Sequence, residues 1–132
     1  CEVLKAKGAK RALPLAVSAP FHSSLMKPAA ERLKGALEGV ALQSPAIAVV
    51  NNIDVSAPTG VAEIKDALYR QAFGPVRWTE VIGALKARGL LHIVECGPGK
   101  VLAGMVKRID AELQSATLLD PATLQQTKEF LA

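Results

Sequence analysis

The stretch from Leu90 to Leu119 limits the possible folds more than any other part of the chain. Leu90 to Val94 is an apolar run that reads as a buried strand. Gly97-Pro98-Gly99-Lys100 then turns the chain, and Val101, Leu102, Met105, Val106 and Ile109 recur at helical spacing. Ala116 to Leu119 reads as a last short strand. Parallel strands need a crossover between them, and a helix is the usual one. A strand, a helix and a strand in this order therefore predict an α/β layered fold.

The rest of the chain alternates in the same way, with no internal repeat. Residues 2–8 read as the last turns of a helix closed by Gly8. Ala12 to Val17 reads as a short strand, kept to an edge or a bulge because Pro14 has no N–H to donate. From Ser24 the pattern turns helical, with Leu25, Ala29, Leu33, Ala36, Leu37 and Val40 on one face. Ser23 or Ser24 can cap that helix, and Pro28 belongs in its first turn. Ala46 to Val50 is apolar with β-branched residues, which predicts a second buried strand ending at Asn51-Asn52. Beyond the turn-rich Ser56 to Gly60, the residues Val61, Ile64 and Leu68 predict a helix to about Gln71. Gly74-Pro75 interrupts the chain. Thr79 is placed to cap the next helix, which turns Val81, Ile82 and Leu85 inward and ends at Gly89. Asp120-Pro121 is a cap residue followed by proline at the first helical position, and the last helix reaches roughly Phe130.

With 132 residues, half of them apolar, the chain can bury a core, and nothing in it reads as disorder. No apolar run approaches the ~20 residues of a membrane span. Two cysteines, Cys1 and Cys96, are too few for a disulfide framework and fit a reduced, cytoplasmic protein. The first residues, Cys1-Glu2-Val3-Leu4-Lys5, have neither an initiator Met nor a signal-peptide core, so a piece of a longer chain is expected. Net charge is +4, favouring acidic partners, and Lys5, Lys7, Lys10 and Arg11 form the densest basic cluster. Scarce aromatics and the lack of a recognised motif argue against nucleic acid.

Few residues are placed for chemistry. There is no Gly-x-Ser-x-Gly elbow, and His22 and His92 are too far apart for metal-ligand spacing. His92, inside a strand, reads as a core or sheet-face residue. Gly97-Pro98-Gly99-Lys100 lacks the remaining spacing of a phosphate loop and reads as a tight strand-to-helix turn. Cys96 reads as a small buried filler and Trp78 as a packing anchor. His22 differs from these. In Leu15-Ala16-Val17-Ser18-Ala19-Pro20-Phe21-His22-Ser23-Ser24 an apolar run stops at a proline, and the histidine emerges just before a helix start. Partial positive charge there favours the neutral imidazole, the form a general base needs.

Together with Arg70-Gln71-Ala72-Phe73-Gly74-Pro75-Val76-Arg77-Trp78 and Glu95-Cys96-Gly97-Pro98-Gly99-Lys100-Val101-Leu102, that stretch resembles the C-terminal part of malonyl-CoA:acyl carrier protein transacylases, acyltransferases of fatty-acid synthesis. The resemblance covers nearly the whole chain. It implies a large α/β-hydrolase-like domain with a small ferredoxin-like subdomain inserted into it. Residues 1–26 would end the small subdomain and carry the histidine loop; residues 27–132 would be the last part of the large domain. On that view several strands of the large sheet are missing, and the 132 residues are not expected to fold stably alone.

The resemblance also implies a mechanism. An upstream serine takes malonyl from CoA and passes it to the phosphopantetheine thiol of acyl carrier protein, with no cofactor beyond these substrates. By match of position His22 is the general acid and base. The backbone carbonyl of Gln71 would accept the other imidazole N–H, so changing the Gln71 side chain is expected to matter little. Phe21 matches a position where malonyl-selecting members commonly carry Phe, and its ring leaves less room for an α-methyl branch. Serine, oxyanion donors and carboxylate-binding arginine fall in the upstream half of the same polypeptide. Two alternatives stand beside this reading. One is the acyltransferase domain of a polyketide or multifunctional fatty-acid synthase, disfavoured because the chain ends soon after its last helix. The other is a non-catalytic carrier-protein docking module using the basic cluster.

Overall fold

A computed structural model describes residues 1–14 and 16–132 of the chain. Its centre is the unit that opens with β1, His92–Cys96, and passes through helix α5, Val101–Ile109, to β2, Gln114–Leu118. The two strands pair in parallel, from His92 opposite Gln114 to Cys96 opposite Leu118. Gln114 N–H donates to the Leu91 carbonyl and Gly97 N–H to the Leu118 carbonyl, extending the ladder at both ends. Helix α6, Pro121–Leu131, packs on β2, and α5 packs on both strands.

β1 lies two residues later than the apolar run suggests. The reason is a hydrogen bond at its start. Helix α4, Trp78–Ala87, closes in a Schellman turn, with Gly89 at φ +84° and Leu90 N–H donating to the Leu85 carbonyl. Leu90 is therefore committed to the helix end and cannot join the ladder. Helix α1, Glu2–Ala6, ends in the same way, with Gly8 at φ +91° and Ala9 N–H bonded to the Leu4 carbonyl. Both glycines stand where a left-handed residue is required.

Ile82 and Val106 are fully buried and Leu113 nearly so, with Trp78, Leu85, Ile93 and Ile109 packed around them. α4 is thereby joined to the crossover. Lys86 adds a polar tie, reaching the carboxylates of Asp110 and Glu112 at 2.5 Å each. α6 begins in a capping box: Asp120 Oδ1 accepts from the Thr123 N–H at 2.8 Å while Thr123 Oγ1 accepts from the Asp120 N–H at 2.9 Å. The Thr123 backbone N–H is the main reason the Asp120 carboxyl sits below its ordinary range.

Upstream of this unit, α2, Lys27–Glu38, packs against α3, Val61–Gln71. A short 3-10 turn, Ser24–Met26, precedes α2, and Pro28 does lie in its first turn. The buried face is not the one that periodicity suggests. Ala30 is fully buried, whereas Leu25 is 73% exposed and Ala29, Leu33, Ala36 and Val40 are exposed too. Helical spacing identifies an apolar stripe but not whether a neighbour covers it.

Two expected strands do not form. Leu15 lies outside the described residues, and residues 12–14 and 16–17 around it make no ladder. Residues 46–50 run irregularly, with Ile47 81% and Val49 63% exposed. β-branched sequence supplies the propensity, but a strand needs a partner, and none lies beside either segment among the described residues. Thr79 likewise does not cap α4; Arg77 holds that position and Thr79 falls inside the first turn.

Trp78 is the packing anchor expected, at one cost. Its Nε1–H is buried and has no hydrogen-bond partner among the described residues. An unpaired buried donor carries a desolvation penalty that an apolar ring of similar shape avoids. Trp78→Phe in the intact polypeptide is therefore expected to leave Tm unchanged or raise it, whereas Trp78→Ala should cost about 3 kcal/mol by cavity formation. Thermal unfolding of both variants checks this; a large loss in Trp78→Phe would mean that the indole N–H is satisfied.

Candidate active site

His22 sits in the turn leading to α2, at φ +58°, a left-handed conformation that is uncommon for a residue with a side chain. Ser23 helps hold the turn. Its Oγ donates to the Pro20 carbonyl at 2.7 Å, so it closes the loop rather than capping the helix as its position suggests.

The imidazole Nδ1 lies 3.0 Å from the carbonyl oxygen of Gly74. A carbonyl oxygen can only accept, so in this contact Nδ1 carries the proton. The neutral ring then keeps its free lone pair on Nε2, directed away from Gly74. The expected partner was the carbonyl of Gln71, three residues earlier. Gln71 is the last residue of α3, and the carbonyls of a last helical turn run along the helix axis. The chain turns through Ala72 and Phe73, Gly74 N–H bonds the Arg70 carbonyl at 2.9 Å, and Gly74 is the residue presented to His22.

Gln71 acts through its side chain instead. Its Oε1 accepts from the backbone N–H of Asn52 at 3.0 Å and tethers the loop of residues 51–56. Arg70 tethers the same loop, giving Nη1 and Nη2 to the two carboxylate oxygens of Asp54 at 2.7 Å each and Nε to Asp66 at 2.7 Å. The Arg70 hydrogen bonds hold the Asp54 carboxyl below its ordinary value of 3.8, and Asp54 and then Asp66 raise the Arg70 guanidinium further. A depressed carboxylate contributes above its unfolded pKa and lets go as pH falls through its folded one. The clamp therefore lets go only in acid, as pH falls through the depressed Asp54 value. Within the loop, Asp54 N–H bonds Asn51 Oδ1 at 2.7 Å, and Val55 is held at φ +56°. A β-branched residue in that conformation is strained, so the tethers offset a cost.

Phe21, beside His22, is 59% exposed, so its ring can wall a pocket only against something laid over it. A groove of about 240 Å³ runs between α3 and the segment before the loop, lined by Pro45, Val49, Pro58, Ile64 and Leu68 among others. Gln71 reaches it, but neither His22 nor Phe21 lines it.

The Gly97–Lys100 turn is a strand-to-helix connection, as expected. Glu95 explains why it is not an anion site: its Oε2 accepts from the Ala103 N–H at 2.8 Å, so a carboxylate of the chain already occupies the start of α5. Cys96 is exposed rather than a buried filler, because β1 is short and Cys96 ends it. His92 is also exposed, with its ring edge-on to Phe130 at 4.9 Å. It is a sheet-face residue and not a core one. Among the described residues no His, Cys, Asp and Glu side chains gather as a metal site, and no helix is long and apolar enough to cross a membrane.

Gly74, Asn52 and the Arg70–Asp54 pair escaped sequence reasoning. Asp66 and Arg70 at helical spacing were a visible signal, but nothing in the string links Arg70 to Asp54. If Gln71 works through its side chain, Gln71→Ala should speed amide hydrogen exchange at Asn52 by roughly tenfold, the loss of about one hydrogen bond. An unchanged exchange rate would return Gln71 to a backbone role.

No protein-family model matches the chain. The malonyl CoA-acyl carrier protein transacylase of Haemophilus influenzae is 51% identical over 127 residues, which cover 96% of this chain and 41% of that protein. The crystal structure of an acyl-carrier-protein S-malonyltransferase from Burkholderia pseudomallei superposes with a TM-score of 0.90 at 57% identity, over 98% of this chain and 42% of that one. A malonyl-transacylase solved in complex with its type II PKS acyl-carrier protein gives a TM-score of 0.91 at 46% identity, over 98% and 42% of the two chains. The chain thus spans about two-fifths of the length of the relatives it matches. Over nearly its whole length it is homologous to the malonyl CoA-acyl carrier protein transacylases, and its fold is that of the matching two-fifths of them.

Proposed function

We propose that the polypeptide carrying this chain is an acyl-carrier-protein S-malonyltransferase, moving malonyl from CoA to the phosphopantetheine thiol of acyl carrier protein. The observation that carries the reading is His22 Nδ1 held 3.0 Å from the Gly74 carbonyl, which leaves Nε2 as the base. A serine hydroxyl, contributed from outside these residues, would give its proton to Nε2 as its oxygen attacks the malonyl thioester. The C–S bond breaks and the imidazolium returns the proton to the departing CoA sulfur. The pantetheine thiol then gives its proton to Nε2, its sulfur attacks the acyl-serine, and the serine oxygen leaves with that proton. Each half-reaction charges the ring once and discharges it once. A neutral carbonyl suits that cycle, orienting the ring without holding it permanently charged.

Residues 1–26 are proposed to end a ferredoxin-like small subdomain and residues 27–132 to form part of an α/β-hydrolase-like large domain. The apolar segments at 12–14 and 46–50, both without ladder partners among the described residues, support this, because strand-forming sequence of that kind could pair with strands supplied from outside these residues. The upstream half of the polypeptide is the proposed source of those strands and of the serine. Malonyl-CoA and acyl carrier protein are the proposed partners, with Lys5, Lys7, Lys10 and Arg11 available to an acidic carrier surface. A cytoplasmic setting fits the two free thiols.

In the intact polypeptide His22→Ala should slow malonyl transfer by roughly 10² or more, the scale of general-base loss. Near-parental rates in a steady-state assay would remove His22 from the mechanism. Phe21→Ser should raise the methylmalonyl-to-malonyl ratio of kcat/KM, and an unchanged ratio would place the selectivity wall elsewhere.

A further inference from the structure

Gly74 has no side chain for a reason of space. A Cβ built on it would fall inside contact distance of the Ile53 δ-methyl and 3.0 Å from the Arg70 carbonyl oxygen. Gly74 is buried, and Ile53 occupies the place that a side chain at 74 would take. Ile53 in turn belongs to the loop held by Arg70, Gln71 and Arg77. Arg77 bonds this loop twice: its backbone N–H reaches the Asn52 carbonyl and its Nη1 the Ile53 carbonyl, both at 3.4 Å. The loop is thus tied to both flanks of the segment 70–77, with one apolar side chain pressed on the residue whose carbonyl faces His22.

We infer that Ile53 and Gly74 are a matched pair of positioning residues, the isoleucine seated on the glycine so that the Gly74 carbonyl faces His22 Nδ1. The inference rests on the proposed role of His22 as base. Filling the space at 74 and emptying it at 53 should each let the carbonyl turn away, after which the proton can move to Nε2 and the lone pair needed for the base is lost. Doing both at once should relieve most of the crowding, because the new Cβ takes the room the isoleucine gave up and only its 3.0 Å approach to the Arg70 carbonyl remains.

The test uses the intact polypeptide and two readouts. Gly74→Ala is expected to slow malonyl transfer roughly tenfold or more through kcat, with KM for malonyl-CoA unchanged, since a displacement of about 1 Å is enough for such a loss. Nitrogen NMR of labelled histidine reads the ring itself: Nδ1 protonated in the parent, a mixture of tautomers in Gly74→Ala and in Ile53→Ala. The double variant is expected to be faster than either single one and to shift the ring spectrum back toward the parental one. Parental spectra in both single variants overturn the inference, as does a double variant slower than both. If Gly74→Ala does not fold, Ile53→Ala decides alone: an unshifted tautomer overturns the pairing and a mixed one supports it. His22→Ala separates the two levels. A parental rate there defeats the general-base reading, while the ring spectra of the other variants still judge the positioning.

Discussion

Burial of Val106 between the parallel strands and α4 is the constraint on which the described fold depends. A parallel pair cannot be closed by a hairpin, so β1 and β2 exist together only if α5 crosses over and lies back on them. Val106 is fully buried where that crossover meets Ile82 of α4 and Leu113 before β2. The Lys86 ion pairs sit at the rim of the same junction and are partly exposed, so they add less than the apolar contact they border. Fixing α4 against the crossover also fixes the segment 70–77 ahead of it.

That segment carries the carbonyl that faces His22 in the candidate site. Gly74 stands between the end of α3 and the start of α4, so a carbonyl at a helix junction is held from both sides. The loop of residues 51–56 is tied down by two side chains of α3 and by Arg77 before α4. The chain keeps Val55 in a strained conformation to make that loop, which is the kind of local cost that persists where surroundings over-determine it.

Helices and turns were legible in the sequence because their causes are local. Val61–Gln71 and Val101–Ile109 follow from spacing, and Asp120-Pro121 announces a capping box within four residues. The first strand of the crossover was legible up to a shift of two residues, set by one hydrogen bond from Leu90, and the second was legible except that it starts two residues early, at Gln114. What failed depends on neighbours. Residues 46–50 have strand composition and no partner, and most of the apolar stripe of α2, Leu37 apart, is exposed. His22 was legible as the candidate base from its turn. Its partner was not, since no pattern in a string says which of several carbonyls between Gln71 and Gly74 a folded chain turns outward.

His22 and Gly74 are separated by 52 residues. Bringing two points that far apart into register costs at least roughly 3 kcal/mol of chain entropy, while one hydrogen bond returns about 1 kcal/mol. The contact therefore cannot hold the two regions together. It exists because packing elsewhere has already brought them near, and the histidine bears little of the load. On the positioning inferred above, a group in that position would act as a gauge, its proton registering small shifts in the α3–α4 junction before the fold itself gives way.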